Sequence, residues 1–393
     1  MTDDAFAILD TARPRKPHDM RSVVGEIAAK TGSGVGFLPE WLKLNVGPGH
    51  ILFDEYINMR LWDPDFYPRA DLKSFIGNWG MVRLWRAANF VESMKALTEN
   101  KIAAAAVLGA YGLSAPPLLG LHAAGALSGD GRTSTAEELE KFLLHRLVTP
   151  AFGKPLQGLQ SLGTISISSL DAETGLLIRQ DGSEIPAAAL AREIHDSYGQ
   201  SGYIFQPRLA PHADVRAVCG DRVATVRVIT LMTAEGPRIF RAAWKIPAGA
   251  NSVDNFWREG NILAAIDLEN GTVSRAITGT GTAMREIDKH PDTGAAFSGL
   301  KVPLFEDICR AALTGAAAFS GFGLLGWDIA ATKDGPVVIE LNDTPDAVMA
   351  QIAHRKGLLD AEFAAFLQDR RRAFRSWKAE QKKIMKREYG RVR

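Results

Sequence analysis

The chain has 393 residues, 46% of them hydrophobic and 23% charged, and its net charge at pH 7 is +1. That length allows two or three lobes with cores of their own, and the balanced charge gives no reason to expect nucleic acid or an anionic membrane as a general partner. The two cysteines, Cys219 and Cys309, lie far apart in no ligand spacing, so neither a disulfide framework nor a zinc site is expected, and a cytoplasmic location is favoured. Because no apolar stretch is long enough, we expect no transmembrane segment.

The first quarter of the chain, residues 1–95, is predicted to be mostly helical. A further helix over 90–110 is expected to end at Gly112. Pro116 and Pro117 follow, and two successive prolines forbid further helix. Lys101 lies near the start of this helix, where a lysine is ordinarily solvated.

The middle of the chain predicts short strands with few helices. A helix over 135–147 is expected to open with a capping box, since Ser134 lies three residues before Glu137. A second helix is predicted over 304–320. The predicted strands are 151–155, 163–169, 202–207, 215–218, 223–231 and 238–245. This mixed order indicates an α+β fold with antiparallel sheets, not a doubly wound nucleotide fold.

A lysine followed by spaced glycines is the first candidate for phosphate binding. Lys154 lies on a predicted strand that enters a loop with Gly158 and Gly163. A lysine at this place can neutralise a phosphate while the backbone N–H groups of a glycine loop approach closely. The spacing matches neither the Walker A loop nor the G-x-G-x-x-G motif, so the glycines alone are weak evidence for a phosphate-binding loop.

The segment 203–209 indicates a strand that leaves a buried sheet and becomes a connector. Gln206, Pro207 and Leu209 belong to it, and Asp214 lies just beyond. Such a connector can offer backbone groups to an adenine edge and a carboxylate to ribose hydroxyls. The alternative is an ordinary β-bend.

Two arginines, Arg216 and Arg227, are predicted on adjoining strands. Arginine forks suit phosphate or carboxylate recognition. Arg227 lies within an apolar run, where a buried guanidinium needs an anionic partner, so a substrate contact and a structural ion pair are both open. The polar loop 254–261, which contains Asn255, is predicted on the surface, where loops often carry substrate contacts.

The most specific pattern is a hairpin near the C-terminus. Asp328 lies in one apolar strand, and Glu340 and Asn342 lie two residues apart in the next, so these two project from the same face. A turn at 333–336 can bring Asp328 onto that face as well. Two carboxylates and an amide oxygen are hard oxygen ligands that suit Mg²⁺. The pattern therefore predicts a metal site.

The last residues of the chain, 370–393, contain eleven Lys or Arg against two Glu in a helical pattern. A basic helix can bind a membrane or RNA, whereas the ordinary interpretation is a solvated C-terminal helix. The sequence leaves both open.

Taken in chain order, the helical lysine, the Lys-Pro strand with its glycine loop, the connector and the Asp and Glu-x-Asn strands resemble the ATP-grasp superfamily over about 101–357. The stretches 47–56, 226–230, 254–255 and 326–328 are similar to its sugar-transfer-associated branch, which is related to alpha-L-glutamate ligases. The resemblance implies two α+β lobes clasping ATP, at 96–205 and 206–360, between a helical region 1–95 and a basic helix 361–393.

The resemblance also implies roles for the candidate residues. ATP would be bound by Lys101, Lys154, Gly158, Gly163, Gln206, Pro207, Leu209 and Asp214. Catalytic contacts to phosphate or acceptor substrate would come from Lys154, Arg216, Arg227 and Asn255. Two Mg²⁺ ions, or Mn²⁺ in their place, would be bound by Asp328, Glu340 and Asn342.

The activity implied is that of an ATP-dependent carboxylate–amine ligase, which forms an acyl phosphate and acts on small-molecule substrates. One alternative is a kinase that phosphorylates a hydroxyl group with the same site. The other is a non-catalytic ATP-binding partner of a glycan-assembly system, such as one for cell-envelope polysaccharide. Association with glycan-assembly enzymes is implied by the branch alone.

Overall fold

The computed structural model describes residues 8–10, 20–68, 71–125, 128–158, 162–346 and 348–390. The α-helices in these ranges are α1 (Met20–Thr31), α2 (Leu38–Val46), α3 (Phe53–Asn58), α4 (Asn78–Ala88), α5 (Ala96–Glu99), α6 (Lys101–Ala110), α7 (Ala136–His145), α8 (Ala187–Tyr198), α9 (Ala213–Cys219), α10 (Phe305–Ala318), α11 (Val348–His354) and α12 (Ala361–Tyr389). The strands are β1 (Gly120–His122), β2 (Arg132–Thr133), β3 (Ala151–Pro155), β4 (Ile165–Asp171), β5 (Leu176–Arg179), β6 (Glu184–Pro186), β7 (Tyr203–Pro207), β8 (Thr225–Thr233), β9 (Gly236–Ile246), β10 (Ile262–Ile266), β11 (Val273–Thr278), β12 (Arg285–Glu286), β13 (Leu324–Thr332) and β14 (Gly335–Asn342).

The first sheet has seven strands in the order β2-β1-β7-β3-β4-β5-β6. Its neighbouring strands run antiparallel, except that β1 and β2 are parallel. Helices α7 and α8 cover one face, because each buries an apolar stripe, with Leu139 and Phe142 on α7 and Leu190 and Ile194 on α8. This packing fixes β3, which carries Lys154, in the middle of the sheet.

The second sheet also has seven strands, in the order β12-β11-β10-β9-β8-β13-β14, and its neighbouring strands are antiparallel. Helices α6 and α10 cover one face, over a core that contains Trp244 and Trp327. The N-terminal helices and α11 cover the opposite face, where Tyr56 and Met349 pack with Leu263. Both faces are therefore buried, which explains why β8, β10 and β13 are almost continuously apolar.

A glycine sets the distance between α10 and the second sheet. A Cβ atom added to Gly315 would lie 2.6 Å from the ring of Trp327, on β13. The missing side chain lets the helix approach the strand that carries Asp328. The position of the candidate metal ligand thus depends on a close helix–sheet contact.

The α+β fold with antiparallel sheets is confirmed, and so are the helix over 304–320 (α10) and the C-terminal helix (α12). Among the described residues, no helix is both long enough and apolar enough to cross a membrane. The predictions for 1–7, 11–19, 69–70, 391–393 and the middle of the glycine loop, 159–161, lie outside the described residues. Helices α1 to α4 form the helical N-terminal region.

The single helix predicted over 90–110 is wrong in its continuity. A 3-10 helix at Glu92–Met94 and the short α5 precede α6, which begins at Lys101. The break occurs at Asn100, whose side-chain oxygen accepts hydrogen bonds from the backbone N–H groups of Ile102 and Ala103. An asparagine that caps a new helix competes with continuation of the old one.

The strand predicted over 215–218 is wrong, because these residues belong to helix α9. The buried positions Val215, Val218 and Cys219 have the spacing i, i+3, i+4 of a helix face, and His212 caps the helix by accepting from the N–H of Asp214. The capping box of α7 is also shifted by one residue, since Thr135 rather than Ser134 accepts from the helix, at Glu138 N.

Candidate functional site

The two sheets face one another across an open cleft. The first sheet contributes Phe152, Lys154 and Gln206 to its walls, and the second contributes Lys245 and Asp328. The predicted residues in the lining are Lys101, Lys154, Gly158, Gln206, Pro207, Leu209, Asp328 and Glu340. Eight predicted site residues from five separate parts of the chain therefore meet in one cavity.

Lys154 is a buried cation in this cleft, with 7% of the residue exposed. The described residues provide no ion pair or hydrogen bond to its ammonium group. Burial and, to a smaller extent, the nearby charge of Lys101 lower the pKa of Lys154 to about 8, against the opposite effect of Glu340. An ammonium group held in this way is suited to an anion that enters the cleft.

Lys101, at the start of α6, lies on the other side of the same space. Its Nζ atom is 3.4 Å from Oε1 of Glu340 and 3.5 Å from the carbonyl oxygen of Leu156. Leu156 follows β3, so the amine of Lys101 connects the beginning of the glycine loop with the carboxylate on β14. The charges of Lys101 and Lys154 interact across this space.

A buried network of charges forms the floor of the cleft. Arg227 on β8 donates from Nε to Oδ1 of Asp328 over 2.6 Å and from Nη2 to Oδ2 over 2.9 Å. Lys245 on β9 lies 3.1 Å from Oδ2 of Asp328 and 3.5 Å from Oδ1 of Asp254. The register aligns Arg227 with Asp328 on one side and with Ala243 on the other. Two cations and two carboxylates thus neutralise one another within the sheet.

The two carboxylates of the network respond differently to burial. The pKa of Asp328 is held well below its usual range, because Arg227 and Lys245 overcome the opposite effect of desolvation. Desolvation raises the pKa of Asp254, because Lys245 alone among the cations compensates there and the charge of Asp328 adds repulsion. Asp328 is therefore a firmly ionised group, whereas Asp254 is the more easily protonated of the pair.

The loop 254–261 lies only partly on the surface, since Glu259 is exposed whereas Phe256 and Asn261 are buried. The carboxylate of Asp254 points into the sheet, where it accepts hydrogen bonds from the hydroxyl group and the backbone N–H of Thr225. Asn255 accepts from the N–H of Trp257 through Oδ1 and from Nδ2 of Asn261 through its carbonyl oxygen. These bonds hold the loop against the floor of the cleft.

The hairpin of β13 and β14 brings the predicted metal ligands to one face. Asp328 pairs with Glu340, and Gly326 pairs with Asn342, with an irregularity in the register at Ile339. Trp327 and Leu341 point to the apolar core on the opposite face. The predicted shared face is therefore present in the register.

The chemistry of this donor set fits Mg²⁺. Glu340 and Asn342 offer hard oxygen atoms, and Oδ1 of Asp328, which accepts one hydrogen bond, keeps a second lone pair. The described residues contain no cluster of three or more His, Cys, Asp or Glu that could bind a metal.

The other end of the cleft is apolar and offers backbone groups. Gln206 donates from Nε2 to the carbonyl oxygen of Pro116 over 3.1 Å, and the N–H of Arg208 donates to the carbonyl of Pro150. Pro207 has no N–H. The N–H of Leu209 has no hydrogen-bond partner in the described part of the chain, so it is free to donate to a ligand.

Several predicted residues do not line the cleft. Asp214 and Arg216 lie on α9, with 74% and 56% of their side chains exposed, and Arg216 pairs with Asp221. The prediction that Arg216 and Arg227 lie on adjoining strands is therefore wrong. Gly163, with φ of +70°, borders the cleft beside Thr164.

Lys245 and Asp254 are the site residues that the sequence analysis missed. Lys245 carried a usable signal, since a lysine inside the apolar run of β9 needs an anionic partner. Asp254 carried none, because nothing in a polar loop indicates which carboxylate turns inward.

The profile of the sugar-transfer associated ATP-grasp family matches residues 84–364. The chain belongs to this family. The match confirms the resemblance seen in the sequence and, with the two-sheet architecture, the ATP-grasp fold. No curated protein sequence matched the chain.

Several solved structures are similar to the chain at low sequence identity. The chain is similar to the L-amino acid ligase of Bacillus licheniformis, with 15% identity and a TM-score of 0.36, over 66% of this chain and 43% of that one. It is similar to the D-alanine-D-alanine ligase of Coxiella burnetii, with 12% identity and a TM-score of 0.43, over 74% of this chain and 62% of that one. It is also similar to the biotin carboxylase of Campylobacter jejuni, with 11% identity and a TM-score of 0.41, over 70% of this chain and 46% of that one. The ATP-grasp chain thus spans about half the length of these structures.

Proposed function

We propose that this ATP-grasp protein is an ATP-dependent carboxylate–amine ligase that forms an acyl phosphate. The observation that carries the proposal is the position of Lys154, a buried ammonium group without a carboxylate partner among the described residues, in one cleft with Glu340 and Asp328. A buried cation requires an anion. A polyphosphate that reaches from Lys154 to oxygen-bound Mg²⁺ supplies that anion.

The proposed nucleotide lies between the lobes 96–205 and 206–360. Lys101 and Lys154 contact the phosphates, next to the backbone of the loop from Gly158 to Gly163. The adenine edge presents one donor and one acceptor, which match the carbonyl of Pro207 and the free N–H of Leu209, beside Gln206. Asp214 is exposed, so its contact with the ribose stays a prediction.

The proposed metal ligands are Glu340, Asn342 and Asp328, for two Mg²⁺ ions or Mn²⁺. When bound, the metal offsets the negative charge of the phosphates. Arg227 and Lys245 hold the carboxylate of Asp328 in place through the contacts described above. Of the proposed catalytic arginines, Arg227 therefore acts through Asp328, and a direct role of Arg216 or of Asn255 stays a prediction.

In the proposed reaction a substrate carboxylate oxygen attacks the γ-phosphorus of ATP, and the bond to the leaving ADP breaks. Lys154 and Lys101 hold the phosphoryl oxygens and offset the charge that develops on them. An amine nitrogen then attacks the acyl carbon, loses a proton and displaces phosphate, which leaves an amide. No covalent nucleophile from the protein is needed. Use of ATP fits the predicted cytoplasmic location, and association with glycan assembly stays a prediction.

Trapping with hydroxylamine tests the proposal. The protein is incubated with Mg·ATP, a panel of carboxylic acids and hydroxylamine, and hydroxamates and ADP are measured together by mass spectrometry. We expect a hydroxamate from one class of acid, lost in Glu340→Ala and retained in Glu306→Ala, which removes an exposed carboxylate outside the cleft.

The other outcomes distinguish the alternatives. ADP with a phosphorylated hydroxyl compound and no hydroxamate would show a kinase. ATP binding without any ADP, in the wild type as in Glu340→Ala, would show a non-catalytic binding partner. Either result would contradict the ligase proposal.

A further inference from the structure

The free end of helix α12 carries a positive charge that the proposed reaction does not use. Residues 370–390 contain nine Lys or Arg against two Glu, a net charge of +7, whereas the rest of the chain sums to −6. The acidic balance of the remainder makes this segment, which we call the basic end, the clear site of attraction for an anionic partner.

Within the described ranges, the ring and cation–ring contacts of the basic end with the rest of the protein lie at its beginning. The guanidinium of Arg370 lies 4.8 Å from the ring centre of Phe90, and Phe90 packs against Phe374 and Trp377 with ring centres 5.2 and 5.6 Å away. After Trp377, the described part of the chain shows no hydrogen bond, ion pair or ring contact between α12 and the body. At 1.5 Å per residue, positions 378–390 extend about 20 Å.

The basic end is amphipathic. With about 100° per residue, Phe374, Trp377, Ile384 and Met385 fall on one stripe, which also contains Arg370, Gln381 and Glu388. The other lysines and arginines occupy the remaining faces. At the beginning of the stripe, Phe374 and Trp377 pack against Phe90. Ile384 and Met385 continue it past the body, and 42% of Met385 is exposed.

These features discriminate between possible partners. A second copy of the helix would bring two segments of net charge +7 together, and like charges repel. Nucleic acid would satisfy the charges but gives no use for the apolar residues Ile384 and Met385. A helix with a basic face and an apolar stripe is typical of binding in the plane of an anionic lipid surface.

We propose that the basic end docks on membranes that contain anionic phospholipids. Lys382, Lys383, Lys386 and Arg387 meet the phosphate groups, and Ile384 and Met385 enter the boundary between headgroups and acyl chains. The proposal concerns the location of the protein and is independent of its reaction, because neither ATP nor any residue of the cleft takes part.

Co-sedimentation of the full-length protein with lipid vesicles tests this proposal. We expect binding to phosphatidylcholine vesicles that contain phosphatidylglycerol, weakening as salt is added, and no binding to phosphatidylcholine alone. Replacing the four residues Lys382, Lys383, Lys386 and Arg387 with Gln should weaken binding roughly a thousandfold, since each cation at such a surface contributes about 1 kcal/mol. The double variant with Ile384→Ser and Met385→Ser should bind more weakly at any given salt concentration.

A matched control removes four exposed cations elsewhere. Replacing Lys289, Lys301, Arg310 and Lys333 with Gln changes the net charge equally and should leave vesicle binding unchanged. Thermal melting should be the same for the basic-end variants and the wild type, because these residues lie outside the cores. Equal loss in both quadruple variants, or no binding to anionic vesicles, would overturn the proposal. Tighter binding to single-stranded RNA than to vesicles, lost in the basic-end variant, would overturn it in favour of nucleic acid.

Discussion

Arg227 and Asp328 form a two-pronged ion pair between neighbouring strands at the floor of the cleft, with N···O distances of 2.6 and 2.9 Å. The pair joins β8 to β13, and Lys245 adds β9 through its contact with Asp328. The carboxylate predicted as a metal ligand is thus also the counter-ion of two buried cations. Its loss would affect the stability of the sheet as well as any bound metal.

Substituting Asp328→Asn should therefore reduce stability more than the loss of a metal ligand explains. The change removes the ionised partner of the buried Arg227 and leaves Lys245 with Asp254 as its remaining carboxylate contact. We expect the free energy of unfolding to fall by about 3–5 kcal/mol, measured by urea denaturation without nucleotide or metal. Asp334→Asn, in the exposed turn of the same hairpin, is the control and should change it by less than about 0.5 kcal/mol. Equal stability of both variants would show that the ion pair contributes nothing.

The unusual pKa of Lys154 predicts a pH dependence of nucleotide binding. The pKa is lowered to about 8 in the folded protein, from an unfolded value of 10.5. The group therefore opposes folding below pH 8, and that cost disappears as the pH rises towards 10.5. Phosphate favours the charged form, so we expect ATP affinity to decrease as the pH rises through about 8. Calorimetry in buffers of different ionisation enthalpy should show proton uptake on binding above this pH.

Two variants make that test specific. Lys154→Met should bind ATP more weakly and remove the decrease near pH 8. Lys101→Met removes the like charge that lowers the pKa of Lys154. In this variant the fall in ATP affinity should therefore occur at a higher pH than in the wild type. A profile in Lys154→Met identical to that of the wild type would assign the titration to another group.

The sequence predicted the hairpin site because alternation along a strand defines its faces. Glu340 and Asn342 alternate with Ile339 and Leu341, and the register of β13 and β14 supplies Asp328 opposite Glu340. The ion pair of Asp328 could not be derived in this way. It depends on β8 and β9 as spatial neighbours, and β13 lies about a hundred residues from Arg227 in the chain.

Prediction from local sequence patterns was wrong where a short segment fits both a strand and a helix. Residues 215–218 contain two valines, which favour a strand, but the buried spacing of Val215, Val218 and Cys219 is helical. Seven residues hold too few turns for the period to show. The site role of Asp254 was missed for another reason: its carboxylate points inward because it accepts hydrogen bonds from Thr225, which is distant in the sequence.

Two glycines on helices predict opposite effects of the same substitution. Gly315→Ala places a Cβ 2.6 Å from the ring of Trp327, so it should destabilise the protein by about 1–3 kcal/mol. Gly109→Ala, on the exposed side of α6, meets no atom within 4 Å. It should stabilise the protein by about 0.5–1 kcal/mol, because alanine restricts the unfolded chain and favours helix. Unfolding in urea measures both. If Gly315→Ala left the protein as stable as the wild type or more stable, the close contact of α10 with β13 would be refuted.

A short N-terminal segment, residues 8–10, holds the end of the glycine loop. Asp10 accepts from the N–H of Gly163 through its carbonyl over 2.6 Å, and its N–H donates to the carbonyl of Thr164. Glu193 on α8 accepts from the N–H groups of Ile8 and Leu9. The segment thus lies on the first sheet, and the side chain of Leu9 is buried in that core.

The same segment also reaches the second lobe. The carboxylate of Asp10 accepts from the hydroxyl of Thr164, which lines the cleft, and lies 3.4 Å from Nη1 of Arg258 in the loop 254–261. Because both charged groups are partly exposed, this ion pair adds at most about 1 kcal/mol. Attachment of the segment therefore depends mainly on Leu9 and on the backbone bonds.

Leu9→Ala should detach the segment locally. The substitution removes buried apolar volume, at a cost of about 2–5 kcal/mol if the segment stays in place, so release of residues 8–10 is the less costly response. Hydrogen–deuterium exchange should then accelerate at the N–H of Gly163, whereas that of Ile167, in the middle of β4, should keep its protection. Asp10→Ala retains the backbone bonds and serves as the control, with little change at Gly163. If the proposed contact of the glycine loop with ATP is correct, Leu9→Ala should also raise the KM for ATP more than it lowers kcat. Unchanged exchange at Gly163 in Leu9→Ala would show that the loop is held without this segment.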